Sequence, residues 1–448
     1  MLTVKEAQDR VAYLTDAAKK AGADAADAIY FCDASSDVSM RLGQLEDVSR
    51  SEGQDVGLRV FVGKRSASVS SSDMNKDALA KLVERAVAMA KEAPEDKYAG
   101  LAPEDMLMRE APLNLDLDDG SEPDPQALRA RALEAEEAAR AVDGIKNSDG
   151  GSASHSRMRL AIGTTGGFVG GYGTSSHSTS VSVLAGEGAD MQRSYDWHSA
   201  RHLADLKAAE AIGKKAGDKT VAKLNPGKMK SGAIPVIFEP SIAAGMIGHL
   251  LGAISGSAMA RRTSFLLDRL GDQIFAPGIT IIDEPRKLRG LRSRPFDGEG
   301  LPVAGGKLID KGVLTTYLID SASGRQLGMK PTGHASRGIG GSPGVTAGNL
   351  HLEPGELSPE ELMADIANGV YITETIGHGV NGVTGDYSLG ASGFRIENGK
   401  LGGPVAEFTI AGNLKDMFLD LRAANDLEFI YATNAPTLRT DSMTVASG

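Results

Sequence analysis

Gly340-Gly341-Ser342-Pro343-Gly344 has the G-x-S-x-G spacing of a nucleophile elbow, a strained turn that lifts a serine hydroxyl toward a carbonyl. The oxyanion hole of that motif needs the backbone N–H of the residue after the serine. Here that residue is Pro343, which has none, and no helical pattern follows it. A tight glycine turn is expected instead. His198 and His202, in the run WHSARH, stand four apart, so on a helix both rings would share a face and could meet one metal. A metallopeptidase helix would also carry a glutamate as general base, but position 199 is serine. The pair therefore reads as helix-end or surface histidines. His378, Asp386 and Tyr387 sit in the glycine-rich run IGHGVNGVTGDYS, where a histidine and an aspartate could do acid–base work. The glycines read more simply as turns, with Asp386 accepting from backbone amides. No phosphate-cradling G-x-x-x-x-G-K-[ST] is present, and no G-x-G-x-x-G falls between a strand and a helix, so nucleotide cofactors have no support.

Composition narrows the classes further. The 448 residues carry 48 basic and 59 acidic side chains, a net charge of −11 that argues against a face tracking nucleic-acid phosphates. A single cysteine, Cys32, excludes an internal disulfide and any multi-cysteine metal site. The opening MLTVKEAQDR turns charged at once, which predicts no signal peptide and a cytoplasmic protein. Residues 241–260, SIAAGMIGHLLGAISGSAMA, lack formal charge but are diluted by Gly, Ser and His249. A spanning helix wants about 20 predominantly apolar residues. The stretch is expected to be a buried helix, not a membrane span, with Gly248, Gly252 and Gly256 admitting another backbone.

The elements that must position these residues follow from periodicity. Thr3 and Glu6 predict a capping box on a helix over 3–22, with Val4, Ala7, Val11, Leu14 and Ala18 on one face and Gly22 as its stop. AIYFCD, DVSMRL and GLRVFVGKRSASVSSS alternate as strands, and a second helix is expected over 76–92. Residues 96–123, rich in Pro and Asp, read as a linker. Asp124 and Pro125 start a helix to about 142, followed by strands and a helix near 200–216. Helix, strands and helix thus occur twice. Beyond a break at 224–232 the chain reads as strand and turn, including a hairpin at Asp310-Lys311-Gly312 and a short helix capped by Ser358 that ends near 368–369. The expected fold is α+β: N-terminal domain 1–95, linker 96–123, central domain 124–225, and a β-rich C-terminal domain 226–448 holding the helix 241–260.

The long motifs GGSPGVTAGNLHLEPG (340–355), TETIGHGVNGVTGDYSLGASGFRIENG (373–399), EFTIAGNLKDMF (407–418) and APTLRTDSMTV (435–445) resemble the TldD/PmbA family, most closely its PmbA branch, also called TldE. The resemblance covers essentially the whole chain. It implies one of two kinds of subunit. TldD-type chains carry H-E-x-x-x-H on a helix and complete a zinc site with a C-terminal cysteine, whereas PmbA/TldE-type chains lack those ligands. Aligned on the glycine-rich helix, Gly248 and Ala253 take the two histidine positions, His249 the glutamate position, and Gly252 is kept before the second. Two histidines five apart differ by about 140° around an ideal helix, so the intact motif needs a bulge or break. The lone His249 cannot replace three ligands and a base, and Cys32 lies at the wrong end of the chain.

The resemblance therefore implies no metal and no catalytic residue in this chain, with zinc in a TldD-type partner. The pair would be a cytoplasmic metallopeptidase for small or unfolded polypeptides, including microcin maturation and antitoxin turnover. Cleavage without sequence preference implies main-chain recognition, an extended peptide adding to a sheet edge. His378, Asn381, Asp386 and Tyr387 are the residues expected along such a cleft. The alternative is a regulatory protein-binding module, as in the family's older name, modulator of DNA gyrase. A homodimer of the isolated chain is also expected to be possible, since homo- and heterodimer would share one pseudo-symmetric interface.

Overall fold

Thr3 and Glu6 close the expected capping box at the head of α1 (Val4–Lys20). The Thr3 hydroxyl accepts from the Glu6 N–H at 3.2 Å, and the Glu6 carboxylate accepts from the Thr3 N–H at 2.7 Å. Ala7, Val11, Leu14 and Ala18 are buried, and Gly22, at φ +98°, turns the chain out of the helix. α2 (Lys76–Glu92) buries Leu79, Leu82, Val83 and Val87 beside it. The computed structural model describes residues 1–441 and 443–447.

β1 (Ala25–Arg41), β2 (Gln44–Val62), β3 (Arg65–Ser71), β4 (Ile145–Thr164), β5 (Val169–Ala185) and β6 (Gln192–Ala200) form one antiparallel sheet in the order β3-β2-β1-β4-β5-β6. The two helix–strand–helix lobes are therefore continuous, joined where β1 pairs with β4 from Asp27↔Thr164 to Met40↔Gly151. Tyr30 and Cys32 lie under α1 and α2, and Val38 and Met40 lie under α3 (Pro125–Arg140). All four alternate on one face of β1, so the helices form a single layer. Asp124 caps α3 by accepting from the Ala127 N–H at 2.7 Å.

α4 (Ala209–Ala222) completes that layer, starting later than the helix expected near 200–216 because β6 runs through Ala200 and a 3₁₀ turn at Leu203–Asp205 follows. α4 lies so close to α3 that a Cβ on Gly213 would stand 2.2 Å from the Ala135 carbonyl oxygen. Only glycine fits there.

Residues 96–123 hold no helix or strand beyond a turn at Glu104–Met106, yet the segment is fastened rather than free. Arg325 donates to the carbonyls of Tyr98, Gly100 and Leu101 at 2.6, 2.9 and 2.9 Å. Asp118 pairs with Arg157 and Arg159, while Asp119 accepts from the Leu203 N–H and lies 2.9 Å from His177 Nε2. Aspartates that read as linker composition are anchors.

The C-terminal half packs one core against two sheets. An eight-stranded sheet runs Arg422–Ala423, Leu438–Thr440, Val236–Phe238, Asn368–Ile376, Asp386–Glu397, Lys400–Asn413, Thr444–Ser447, Gly232–Ala233. A five-stranded sheet contains the expected hairpin, whose Lys311 (φ 47°) and Gly312 (φ 85°) supply the two positive-φ positions of a type I′ turn. The short helix capped by Ser358 is Pro359–Met363, ending before 368–369 because Asn368 already begins a sheet strand.

The two halves meet through Ile29, Ile162, Phe168, Phe296 and Leu301, with a buried ion cluster beside them. Asp27 accepts from Arg59 Nε at 2.9 Å and from Arg337 Nε and Nη2 at 3.2 and 3.0 Å, all three side chains being buried. A Cβ on Gly57 would stand 1.9 Å from the Ile339 carbonyl oxygen, so the 337–343 loop rests directly on β2.

Candidate functional site around the glycine-faced helix

The stretch 241–260 is not one buried helix. It forms α5 (Pro240–Ala253) and α6 (Gly256–Arg261), broken where the Ser255 hydroxyl donates to the Gly252 carbonyl and accepts from the Ala258 N–H. Ala243, Met246, Ile247, Leu250 and Ala253 enter the core. The opposite face is bare: a Cβ on Gly245, Gly248 or Gly252 would meet nothing within 4 Å. Only Gly256 packs tightly, its Cβ position falling 2.4 Å from Ser323 Oγ, so the expected close backbone approach at Gly248 and Gly252 does not occur among the described residues.

The structure brings this helix to the second set of expected residues. His249 meets Tyr387 edge to face, with ring centroids 6.0 Å apart and planes at 82°. Burial lowers the His249 pKa below the usual imidazole value and raises that of Tyr387 to about 12, so both rings are neutral near pH 7. Asn381 and Asp386 shape the loop that leads into Tyr387. Asn381 Oδ1 accepts from the Val383 and Thr384 N–H groups, and the Asn381 N–H donates to the Asp386 carbonyl at 2.8 Å. Asp386 differs from expectation: its carboxylate accepts from the Thr384 hydroxyl at 2.6 Å and Asn413 Nδ2 at 3.1 Å, both side-chain donors, rather than from backbone amides. Those side-chain bonds hold its pKa below the ordinary carboxylate value. His378 is exposed on the same loop, flanked by Ile376 at 66 % exposure and Val383 at 53 %.

This surface does not fit a zinc ion. Gly248 faces outward while Ala253 is buried, neither has a donor atom, and His249 is the one imidazole on α5. Among the described residues no group of three or more His, Cys, Asp or Glu could hold a metal. A tetrahedral site needs three or four ligands.

The remaining candidates lie elsewhere. His198 is on β6, not on a helix. It is buried against α4, with Nδ1 accepting from the Lys207 N–H at 3.2 Å, and burial lowers its pKa. His202 follows that strand and bonds the Asp116 carbonyl at 2.9 Å. The two are held by different partners, and neither joins a group of three or more possible metal ligands among the described residues. Ser342 is exposed in the loop between Ala335–Ser336 and Gly344–Val345, which Arg337 ties down through the carbonyls of Gly338 and Gly341. No helix follows.

Sequence reasoning passed over a cavity of about 400 Å³ between β6, α4, the head of α5 and the strand Asn368–Ile376, lined by Trp197, Glu239, Tyr371 and Tyr431 among others. Its signal was present in Trp197, the single tryptophan, which stands in the run read only for its histidines.

Models of the PmbA/TldA metallopeptidase domain 1, central domain and C-terminal domain match residues 33–90, 118–224 and 231–447. The chain belongs to the PmbA/TldD family. Within the family it is 38 % identical to Metalloprotease PmbA of Escherichia coli O157:H7, over 87 % of this chain and 85 % of that one. It is 36 % identical to the Metalloprotease PmbA homolog of Haemophilus influenzae, over 99 % and 96 %. Among solved structures it matches one described as a modulator of DNA gyrase from Bacteroides thetaiotaomicron at TM-score 0.91 and 26 % identity, covering 100 % of both chains. TldE from Thermococcus kodakarensis shares the fold at TM-score 0.86 and 23 % identity, over 98 % of this chain and 100 % of that one. No helix among the described residues is long and apolar enough to cross a membrane.

Proposed function

We propose that this chain is the zinc-less, non-catalytic subunit of a heterodimeric TldD/TldE-type metallopeptidase that cleaves small or unfolded polypeptides in the cytoplasm. The observation that carries the reading is the chemistry of α5. In the alignment on H-E-x-x-x-H, both histidine positions, Gly248 and Ala253, lack any donor, and they point in different directions around a regular helix. A zinc in the TldD-type partner would polarise the scissile carbonyl and lower the pKa of its bound water. This subunit would complete the cleft around it. The bare face of α5 and the loop bearing His378, Asn381, Asp386 and Tyr387 are contiguous through His249, which supports one surface presented to an extended peptide.

The test is paired: zinc content and hydrolysis of an unfolded polypeptide, for this chain alone and co-purified with a TldD-type chain. Metal and cleavage only in the complex are expected. Stoichiometric zinc with chelator-sensitive cleavage by the isolated chain would overturn the reading.

A second reading, a regulatory binding module acting without proteolysis, is favoured by the description of the B. thetaiotaomicron protein as a modulator of DNA gyrase. Any such effect should persist when the partner's zinc ligands are substituted, and should vanish under the first reading.

A further inference from the structure

The cavity at the head of α5 is built from aromatic rings and charged pairs. Trp197 on β6 and Tyr431 approach to 5.0 Å between centroids with planes at 42°, and Tyr371 and Phe394 line the same space. Both lysines there are already engaged: Lys219 Nζ lies 3.0 Å from Asp196 Oδ1, and Lys223 Nζ lies 2.9 Å from Glu374 Oε2. Glu239 is different. Its carboxylate accepts from the Ser241 hydroxyl at 2.5 Å, and it forms no ion pair among the described residues. Glu239 lines the cavity together with Tyr371 and Tyr431. Burial first pushes both hydroxyls up to about 12, the Glu239 charge adding to it at Tyr371 and the Asp196 charge, ahead of Glu239, at Tyr431. Thr373 lines the same cavity, and its buried Oγ1 has no hydrogen-bond partner among the described residues.

A half-enclosed site with one uncompensated negative charge and electron-rich ring faces selects a cation. An ammonium is compact and strongly hydrated, whereas a guanidinium is planar, weakly hydrated, stacks on aromatic faces and forks onto a carboxylate. We propose that this cavity binds the guanidinium of an arginine side chain carried by a polypeptide, laid against the aromatic wall of Trp197 and Tyr431 and paired with Glu239. The proposal rests on the reading that this chain handles polypeptide, but not on cleavage.

Trp197 is the chain's single tryptophan, so its emission reports this cavity alone. The full chain is titrated with acetyl-Gly-Arg-Gly-amide, with the citrulline peptide of the same shape and no charge, and with the lysine peptide. A saturable change with arginine is expected, at least about tenfold weaker with citrulline and weaker with lysine. Glu239→Gln should weaken the arginine peptide by about tenfold or more. Equal response to citrulline, an unchanged affinity in Glu239→Gln, or no saturable change up to about 10 mM would overturn the proposal. Should Glu239→Gln fail to fold, the citrulline comparison on the unaltered chain decides it. The measurement needs no zinc and no partner. Loss of arginine binding with cleavage intact in the complex therefore sinks this site alone, and binding without any cleavage sinks the peptidase reading alone.

Discussion

His249 and Tyr387 lie far apart in the chain yet pack edge to face at 6.0 Å, clamping the end of α5 to the strand that leaves the 377–385 loop. Tyr387 is 3 % exposed, so Tyr387→Ala should cost about 3–4 kcal/mol, whereas His249→Ala should cost about 1 kcal/mol. Denaturant midpoints of the two single variants and the double variant measure the coupling. Strict additivity would show that the contact carries no energy.

The same contact has a pH signature. The folded-state pKa of His249 is lowered by burial, so the unfolded chain binds the extra proton and stability rises with pH. Its contribution is present above the unfolded value near 6.5 and is lost as pH falls below it. In thermal melts from pH 7.5 to 5, His249→Ala should show a shallower decline than the parent. An equal slope would place the titration elsewhere.

Gly248 and Gly252 sit in a helix with open space where a side chain would be. In the isolated chain, Gly248→Ala should stabilise by about 0.5–1 kcal/mol, because alanine loses less backbone entropy in a helix. If a partner subunit covers this face, the same change should weaken assembly while raising the melting temperature of the single chain. Size-exclusion of the co-expressed pair reads the first effect and calorimetry the second. Improved stability with unaltered assembly would leave the face uncovered.

Much of this frame was legible because local signals agree with it. The α1 capping box, Asp124 before α3 and the Lys311-Gly312 turn each involve residues a few positions apart, and each forms as the sequence implies. Misread segments were those decided by distant partners. The first four residues of WHSARH became strand because β6 pairs with β5, and the Asp-rich stretch became a clasp because Arg157, Arg159 and Arg289 meet it from other elements. The bare side of α5 was misassigned to the interior for a related reason. Apolar composition with glycine predicts burial, but glycine contributes no side chain with which to occupy a core.

Asp27 holds two buried arginines, Arg59 and Arg337, and so ties the N-terminal sheet to the C-terminal half. Asp27→Ala would leave both guanidinium groups unpaired in a buried site, at a cost of about 3–5 kcal/mol. The 337–343 loop should then lose its seat on β2 and become a site of limited proteolysis. Cleavage that stays as slow as in the parent would show that the Gly57–Ile339 contact alone retains the loop.

Glu299 stands beside that cluster, buried, accepting from the Ser321 N–H at 2.9 Å and the Ser321 hydroxyl at 2.6 Å. Burial raises its pKa to about 7 against the partial opposition of those bonds. A carboxyl raised in this way binds its proton more tightly when folded than when unfolded. Its stabilising contribution is full below about pH 4.5 and is lost as pH climbs through 7, the reverse of His249. Glu299→Gln keeps an acceptor for Ser321 without the charge. The variant should match the parent near pH 5 and exceed it at pH 8, by an amount on the order of 2–3 kcal/mol at most. Melting curves of both proteins across that range give the difference directly. A gap independent of pH would mean that the folded and unfolded pKa values of Glu299 coincide, and that its carboxylate is ionised in both states across that range.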